Sequence, residues 1–131
     1  MCIFCQIVKK EIPASIFYED EIALAFLDIK PVNPGHALVI PKGHVANLEE
    51  ISDSDLALLI GAVKKVGRML KDKLGISGYN LVLNNDPIAG QEIFHLHFHL
   101  IPRFENDGLK LFPAGEYKMG EKEELLNKLL S

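Results

Sequence analysis

The sequence predicts an α+β fold: an antiparallel β-sheet of about five strands carrying one long helix. Three observations predict it. Short apolar runs of strand length are separated by turn residues, one segment from Ser52 to Gly75 keeps a helical apolar spacing, and residues 94–100 alternate strictly. The order is hairpin, strand, long helix, two strands, which gives an antiparallel sheet with a helix on it. A pure β-sandwich or barrel does not accommodate that helix.

The elements follow in order along the chain. Residues 3–9 read as a short helix closed by the turn-prone Ile12-Pro13. Phe17–Glu19 and Ile22–Leu27 read as a hairpin through a tight acidic turn at Glu19–Glu21. After the loop Lys30–Gly35, Ala37–Ile40 suits a buried strand, and Pro41 stops it. Ser52 is the expected N-cap of the long helix, with Asp55 three residues on. Leu56, Leu59, Ile60, Val63, Val66 and Leu70 then recur at helical spacing, and Gly75 sits where a C-terminal cap belongs. That helix is roughly 33 Å long at 1.5 Å per residue, enough to cross a whole sheet. Tyr79–Leu83 and Phe94–Ile101 are the remaining strands, bounded by Asn84–Gly90 and Pro102, and Glu121–Leu130 reads as a final helix.

No repeat or linker divides the 131 residues, so a single domain over 1–131 is expected. Apolar residues make up 48% and the net charge is −4, which gives no electrostatic footprint for nucleic acid or an anionic membrane. The longest apolar stretch, Leu56 to Val63, is too short to span a bilayer, and residues 1–20 lack a signal-peptide pattern. A cytoplasmic location is the expectation. Cys2 and Cys5 would there stay reduced, which points to a metal or a redox pair rather than a structural disulfide.

Three of the five histidines, His95, His97 and His99, alternate with Leu96, Phe98 and Leu100. Strand period is two, so the imidazoles share one face, about 7 Å apart in succession. Mere half-burial does not explain this, because strands use Thr, Lys or Glu on a wet face and His has no special β propensity. Either a metal site or a nucleophilic histidine with phosphate-binding helpers remains. The preceding loop favours phosphate: Gly90 lets backbone N–H groups approach an anion, and Asn84 adds a neutral donor.

The segment Gly90-Gln91-Glu92-Ile93-Phe94-His95-Leu96-His97-Phe98-His99-Leu100-Ile101 resembles the His-φ-His-φ-His-φ-φ signature of the histidine triad family. Leu24–Ile29 and Pro34–His44 are similar to that family's other blocks in order and spacing, so the resemblance covers most of residues 3–103. No motif is recognised from Phe104 on.

The resemblance implies the family's fold, a homodimer with the long helix at its interface, and cleavage at the α-phosphate of purine nucleotide derivatives. The substrates would be phosphoramidates or dinucleoside polyphosphates, and the route a nucleotidyl-histidine intermediate. By it, His97 is the nucleophile, His99 contacts the α-phosphate and His36 is the fourth histidine of the cluster. Asn84, Gly90 and Gln91 lie on the phosphate side, Asp28 accepts from the ribose with Ile29 beside it, and Phe4, Ile7, Ile12 and Phe26 line the base pocket. Glu92 stands where the best-known phosphoramidase branch has Ser, which bears on the leaving group unless the carboxylate pairs elsewhere, as with Arg103. The chemistry is reasonable in itself: a neutral imidazole is a good nucleophile, and covalent catalysis splits one slow displacement into two without needing a metal.

Cys2-Ile3-Phe4-Cys5 alone is a weak signal, open to incidental thiols or redox chemistry. Bacterial-type members of the family carry such a pair and complete a structural zinc site with two histidines, which by that match are His44 and His95. Two other classes of function compete with a hydrolase. One is a nucleotide-binding regulatory module with little turnover. The other is a metal-dependent barrel oxygenase or isomerase, against which the long helix counts.

Overall fold

The structure, a computed structural model, describes residues 1–131. Its elements are α1 (Ile3–Val8), β1 (Ile16–Glu19), β2 (Ala23–Leu27), β3 (Ala37–Pro41), α2 (Asp53–Leu74), β4 (Tyr79–Val82), β5 (Phe98–Pro102) and α3 (Glu121–Leu130). The strands form one antiparallel sheet in the order β1-β2-β3-β5-β4. The expected α+β fold is the observed one.

The sheet is covered on both faces, and side-chain size decides which helix lies where. Small Ala23, Ala25 and Ala37, with Val39, face α2, so the helix seats close through Leu59, Ala62, Val63, Val66 and Leu70. The opposite face of the same strands presents Leu24, Phe26, Leu38 and Ile40, which α1 covers with Phe4 and Ile7. Double coverage explains why β2 and β3 read as near-continuous apolar runs rather than alternating ones.

Helix α2 ends as its sequence dictates. Ser52 Oγ accepts from the Asp55 N–H at 3.2 Å, and Gly75 caps the other end at φ +70°. Leu59, Val63, Val66 and Leu70 form the buried stripe, whereas Ile60, expected on it, is exposed because it lies about 100° around the helix from Leu59. Gly67 is required: Tyr79 lies across it, and a Cβ there would overlap the phenol ring.

The histidine segment departs from expectation. Regular β5 begins only at Phe98, so of the three histidines only His99 is on the strand proper. The ladder to β3 ends at the Val39–Phe98 pair, and Leu96 N–H bonds instead to the Val45 carbonyl at 2.8 Å. That bend turns His95 away from the other two. The final helix α3 forms as expected but buries none of its residues. No helix is long and apolar enough to cross a membrane.

Candidate active site and metal centre

A cleft of about 540 Å³ opens between α1, the β2–β3 turn and the loop before β5. Ile3, Phe4, Ile7 and Ile12 form one wall, with Phe26 and Leu38 behind them. Asp28, Ile29 and Lys30 line the second side, Asn84, Gly90 and Glu92 the third, and His36, His97 and His99 line its floor. A smaller depression of about 230 Å³, over Phe17, Met69 and Leu70, holds only apolar groups and Lys73.

The hydrogen-bond partners fix which ring nitrogens carry protons, since a neutral imidazole has one donor and one acceptor. His97 Nδ1 lies 2.7 Å from the His95 carbonyl, so Nδ1 carries the proton and Nε2 keeps a free lone pair. The Val32 N–H donates to His36 Nδ1 at 3.0 Å, so His36 Nε2 carries the hydrogen. It donates to His99 Nδ1 at 2.9 Å, which leaves the proton of His99 on Nε2. His99 Nε2 is buried and has no partner. A buried donor without an acceptor is costly unless something else supplies one.

Burial keeps these rings neutral. It pushes the pKa of His97 down against the opposing pull of the His95 carbonyl and Asp28, and it lowers His36 despite Asp28. His99 falls to about 4, through burial first and then His97 and His36. Asp28 Oδ1 accepts from the Lys30 N–H at 2.8 Å, and Oδ2 stands 3.7 Å from His36 Nε2. Asp28, His36 and His99 are close enough to be considered as metal ligands, but His36 Nε2 carries a hydrogen and has no lone pair to give.

The loop is held by its own groups. Gly90 sits at φ +99°, a conformation that favours glycine, and turns toward Asn84. Gln91 is buried: its Oε1 accepts from Asp86 N–H at 2.8 Å, and its Nε2 donates to the Ala46 and Ile93 carbonyls. Gln91 therefore clamps the loop and does not line the cleft, whereas every other residue expected at the nucleotide does.

The second cluster lies behind α1. Cys2, Cys5, His44 and His95 bring their donor atoms within 4.8 Å of one another. Cys2 Sγ is 3.4 Å from His95 Nδ1, Cys5 Sγ is 3.4 Å from His44 Nδ1, and the two Nδ1 atoms are 3.2 Å apart. His95 Nε2 donates to the Pro41 carbonyl at 2.8 Å, so its Nδ1 aims a lone pair into the cluster. Two thiols and an imidazole lone pair converging with a fourth donor are a chemical fit for zinc. The two centres touch: the His95 backbone carbonyl holds His97, and the Phe4 ring stands edge-on to both histidines at 5.8 and 5.2 Å.

Sequence reasoning did not find Val32, Lys30, Leu38 or Ile93 at the cleft. Leu38 was discoverable, because it pairs with both Phe26 and His99 across the sheet. The Val32 N–H has no side-chain signal.

The HIT domain family matches residues 9–106. An uncharacterized HIT-like protein of Methanocaldococcus jannaschii is 51% identical, covering 98% of each chain. The adenosine 5'-monophosphoramidase of Saccharomyces cerevisiae is 45% identical over 98% of this chain and 82% of its own. Among solved structures, a HIT family protein from Bacillus subtilis superposes with a TM-score of 0.89 at 39% identity, covering 98% of this chain and 94% of that one. A zinc-bound histidine triad protein from Mycobacterium smegmatis superposes at 0.79 with 33% identity, covering 98% and 94%.

Proposed function

The chain belongs to the histidine triad (HIT) family, and from that premise we propose that it hydrolyses or transfers nucleotides at the α-phosphate through His97. One observation carries the reading. In a cleft of nucleotide size, the His97 ring, with a free Nε2 lone pair, stands 4.9 Å from the ring of His99, whose Nε2–H is buried and unpartnered. A nucleophile and a donor for a phosphoryl oxygen are the pair this reaction requires.

His97 Nε2 attacks the α-phosphorus, and the bond to the leaving group breaks with its electron pair going to that group. The ring becomes cationic as the N–P bond forms, and the Nδ1–H bond to the His95 carbonyl, 2.7 Å long, strengthens with that charge. His99 Nε2–H then meets a phosphoryl oxygen, with Asn84 and the Gly90 loop alongside. Water attacks phosphorus in the second step, releases the nucleoside monophosphate and restores neutral His97. Asp28 takes the ribose hydroxyls beside Ile29, and Phe4, Ile7, Ile12 and Phe26 hold the base.

Zinc at Cys2, Cys5, His44 and His95 would act as a structural cross-link that pins α1 to the sheet. The yeast phosphoramidase and the zinc-bound mycobacterial protein support these two readings. We also read the protein as a cytoplasmic homodimer, whose association would cover Leu58 and Ile60 on the outer face of α2, 59% and 42% exposed. Sedimentation tests the association.

Incubation with adenosine 5'-phosphoramidate tests the function: AMP is released by the wild type and not by His97→Ala. Tight AMP binding without turnover by the wild type would instead establish a regulatory nucleotide-binding module.

A further inference from the structure

We propose that Glu92 makes the enzyme selective for nucleotide derivatives whose leaving group is an amine bearing a further positive charge, an inference that rests on the hydrolase reading above. Glu92 follows the Gly90 loop, is exposed and lines the cleft, yet forms no ion pair. The cation that would have neutralised it is engaged elsewhere. Arg103 Nε and Nη2 bond to the two Asp107 oxygens at 2.8 and 3.0 Å, and Nη1 bonds to Asn80.

The wider charge pattern agrees. The chain has no lysine or arginine between Lys73 and Arg103, the stretch that holds the whole phosphate-side loop and the triad. The other charged residue of that loop, Asp86, is also acidic. Lys30 is the lone basic side chain at the cleft, on the turn that Asp28 organises, and His36 and His99 are kept neutral by burial. Two carboxylates against one ammonium leave the cleft net negative. An α-phosphate is therefore met by neutral donors, and a substrate bringing several further negative charges past Glu92 is repelled.

The chemistry runs the same way. A proton from solvent first makes the phosphoramidate nitrogen cationic; His97 Nε2 then displaces it, the P–N bond breaks with its electron pair going to nitrogen, and the free amine takes a second proton to depart as an ammonium. A carboxylate beside it attracts that charge and a second ammonium further along the chain. A departing phosphate or sulfate gathers negative charge, which the same carboxylate opposes. At separations of a few ångströms in a solvated cleft, each unit of charge is worth about three- to tenfold in rate, less at high salt.

Three adenosine phosphoramidates of equal length test this, with 1,2-diaminoethane, n-propylamine and β-alanine as the amine. They share the P–N bond and a two-carbon spacer, and because the terminal group also alters the basicity of the departing nitrogen, each substrate is compared between the wild type and the Glu92 variants. The wild type is expected to show kcat/KM in the order cationic, neutral, anionic, with the spread shrinking as salt is raised. Glu92→Gln is expected to compress the cation-to-anion ratio by about tenfold, and Glu92→Lys to compress it further. A cation-to-anion ratio that Glu92→Gln leaves unchanged would overturn the proposal while leaving the hydrolase intact. No turnover of any of the three by protein that binds AMP would remove the hydrolase reading, and this inference with it.

Discussion

Replacing His99 separates the two functions its ring performs. Its Nε2–H is buried without a partner, and its Nδ1 accepts from His36 at 2.9 Å. His99→Phe removes the donor that the proposed reaction directs at the phosphoryl oxygen, and loss of one preorganised donor of this kind costs about 10²–10³ in kcat. The same change strands the His36 Nε2–H, which is held outward by the Val32 bond, at about 1–3 kcal/mol of stability. His99→Gln places an amide N–H near the old Nε2 position and should restore part of kcat, whereas His99→Asn reaches only the Nδ1 position and should not. Steady-state kinetics on adenosine 5'-phosphoramidate with urea unfolding of each variant reads both effects. A His99→Phe enzyme within a few-fold of wild-type kcat would refute the donor assignment. Equal rescue by Gln and Asn would refute the tautomer argument.

Three further outcomes follow from particular contacts. The unfolded chain's His99 takes up a proton near 6.5 and the folded ring only near 4, so the neutral ring contributes stability above about 6.5 that is lost as pH falls toward 4. The loss is about 3 kcal/mol at most, and a His99→Phe protein with an equally steep decline in a pH series of urea titrations would contradict it. Purified protein should carry up to one zinc per chain, and EDTA should lower its Tm more than its rate at moderate temperature. Zinc retained by a Cys2→Ser, Cys5→Ser double variant would refute the ligand set. Gly67→Ala should destabilise by about 1–3 kcal/mol, because its methyl meets the Tyr79 ring, and an unchanged Tm by calorimetry would refute that packing.

The parts of the fold that local chemistry determines were legible in the sequence. Ser52 and Gly75 mark the ends of α2 because a hydroxyl cap and a left-handed glycine are local devices. Asp20 closes the β1–β2 turn by accepting from the Ile22 and Ala23 N–H groups at 2.8 Å, as the acidic turn suggested. The bend that sends His95 to the cysteines was not legible. It depends on the carbonyls of Pro41 and Val45, roughly fifty residues upstream, and strand periodicity alone places His95 beside His97. The motif places Gln91 on the phosphate side, and its side-chain amide is consumed at Asp86, Ala46 and Ile93. The relay through Val32, His36 and His99 uses a backbone N–H, which no side-chain pattern announces. The unpaired state of Glu92 likewise depended on where Arg103 turned.

The central claim is that His97 Nε2 becomes covalently bonded to the α-phosphorus. Mixing enzyme with adenosine 5'-phosphoramidate, quenching within one turnover in alkaline denaturant and mapping peptides by mass spectrometry tests it most directly. An adenylyl adduct is expected on His97, appearing and decaying at the rate of turnover and absent from His97→Ala. Turnover at the wild-type rate with no adduct, or with the adduct on His99 or His36, would contradict it.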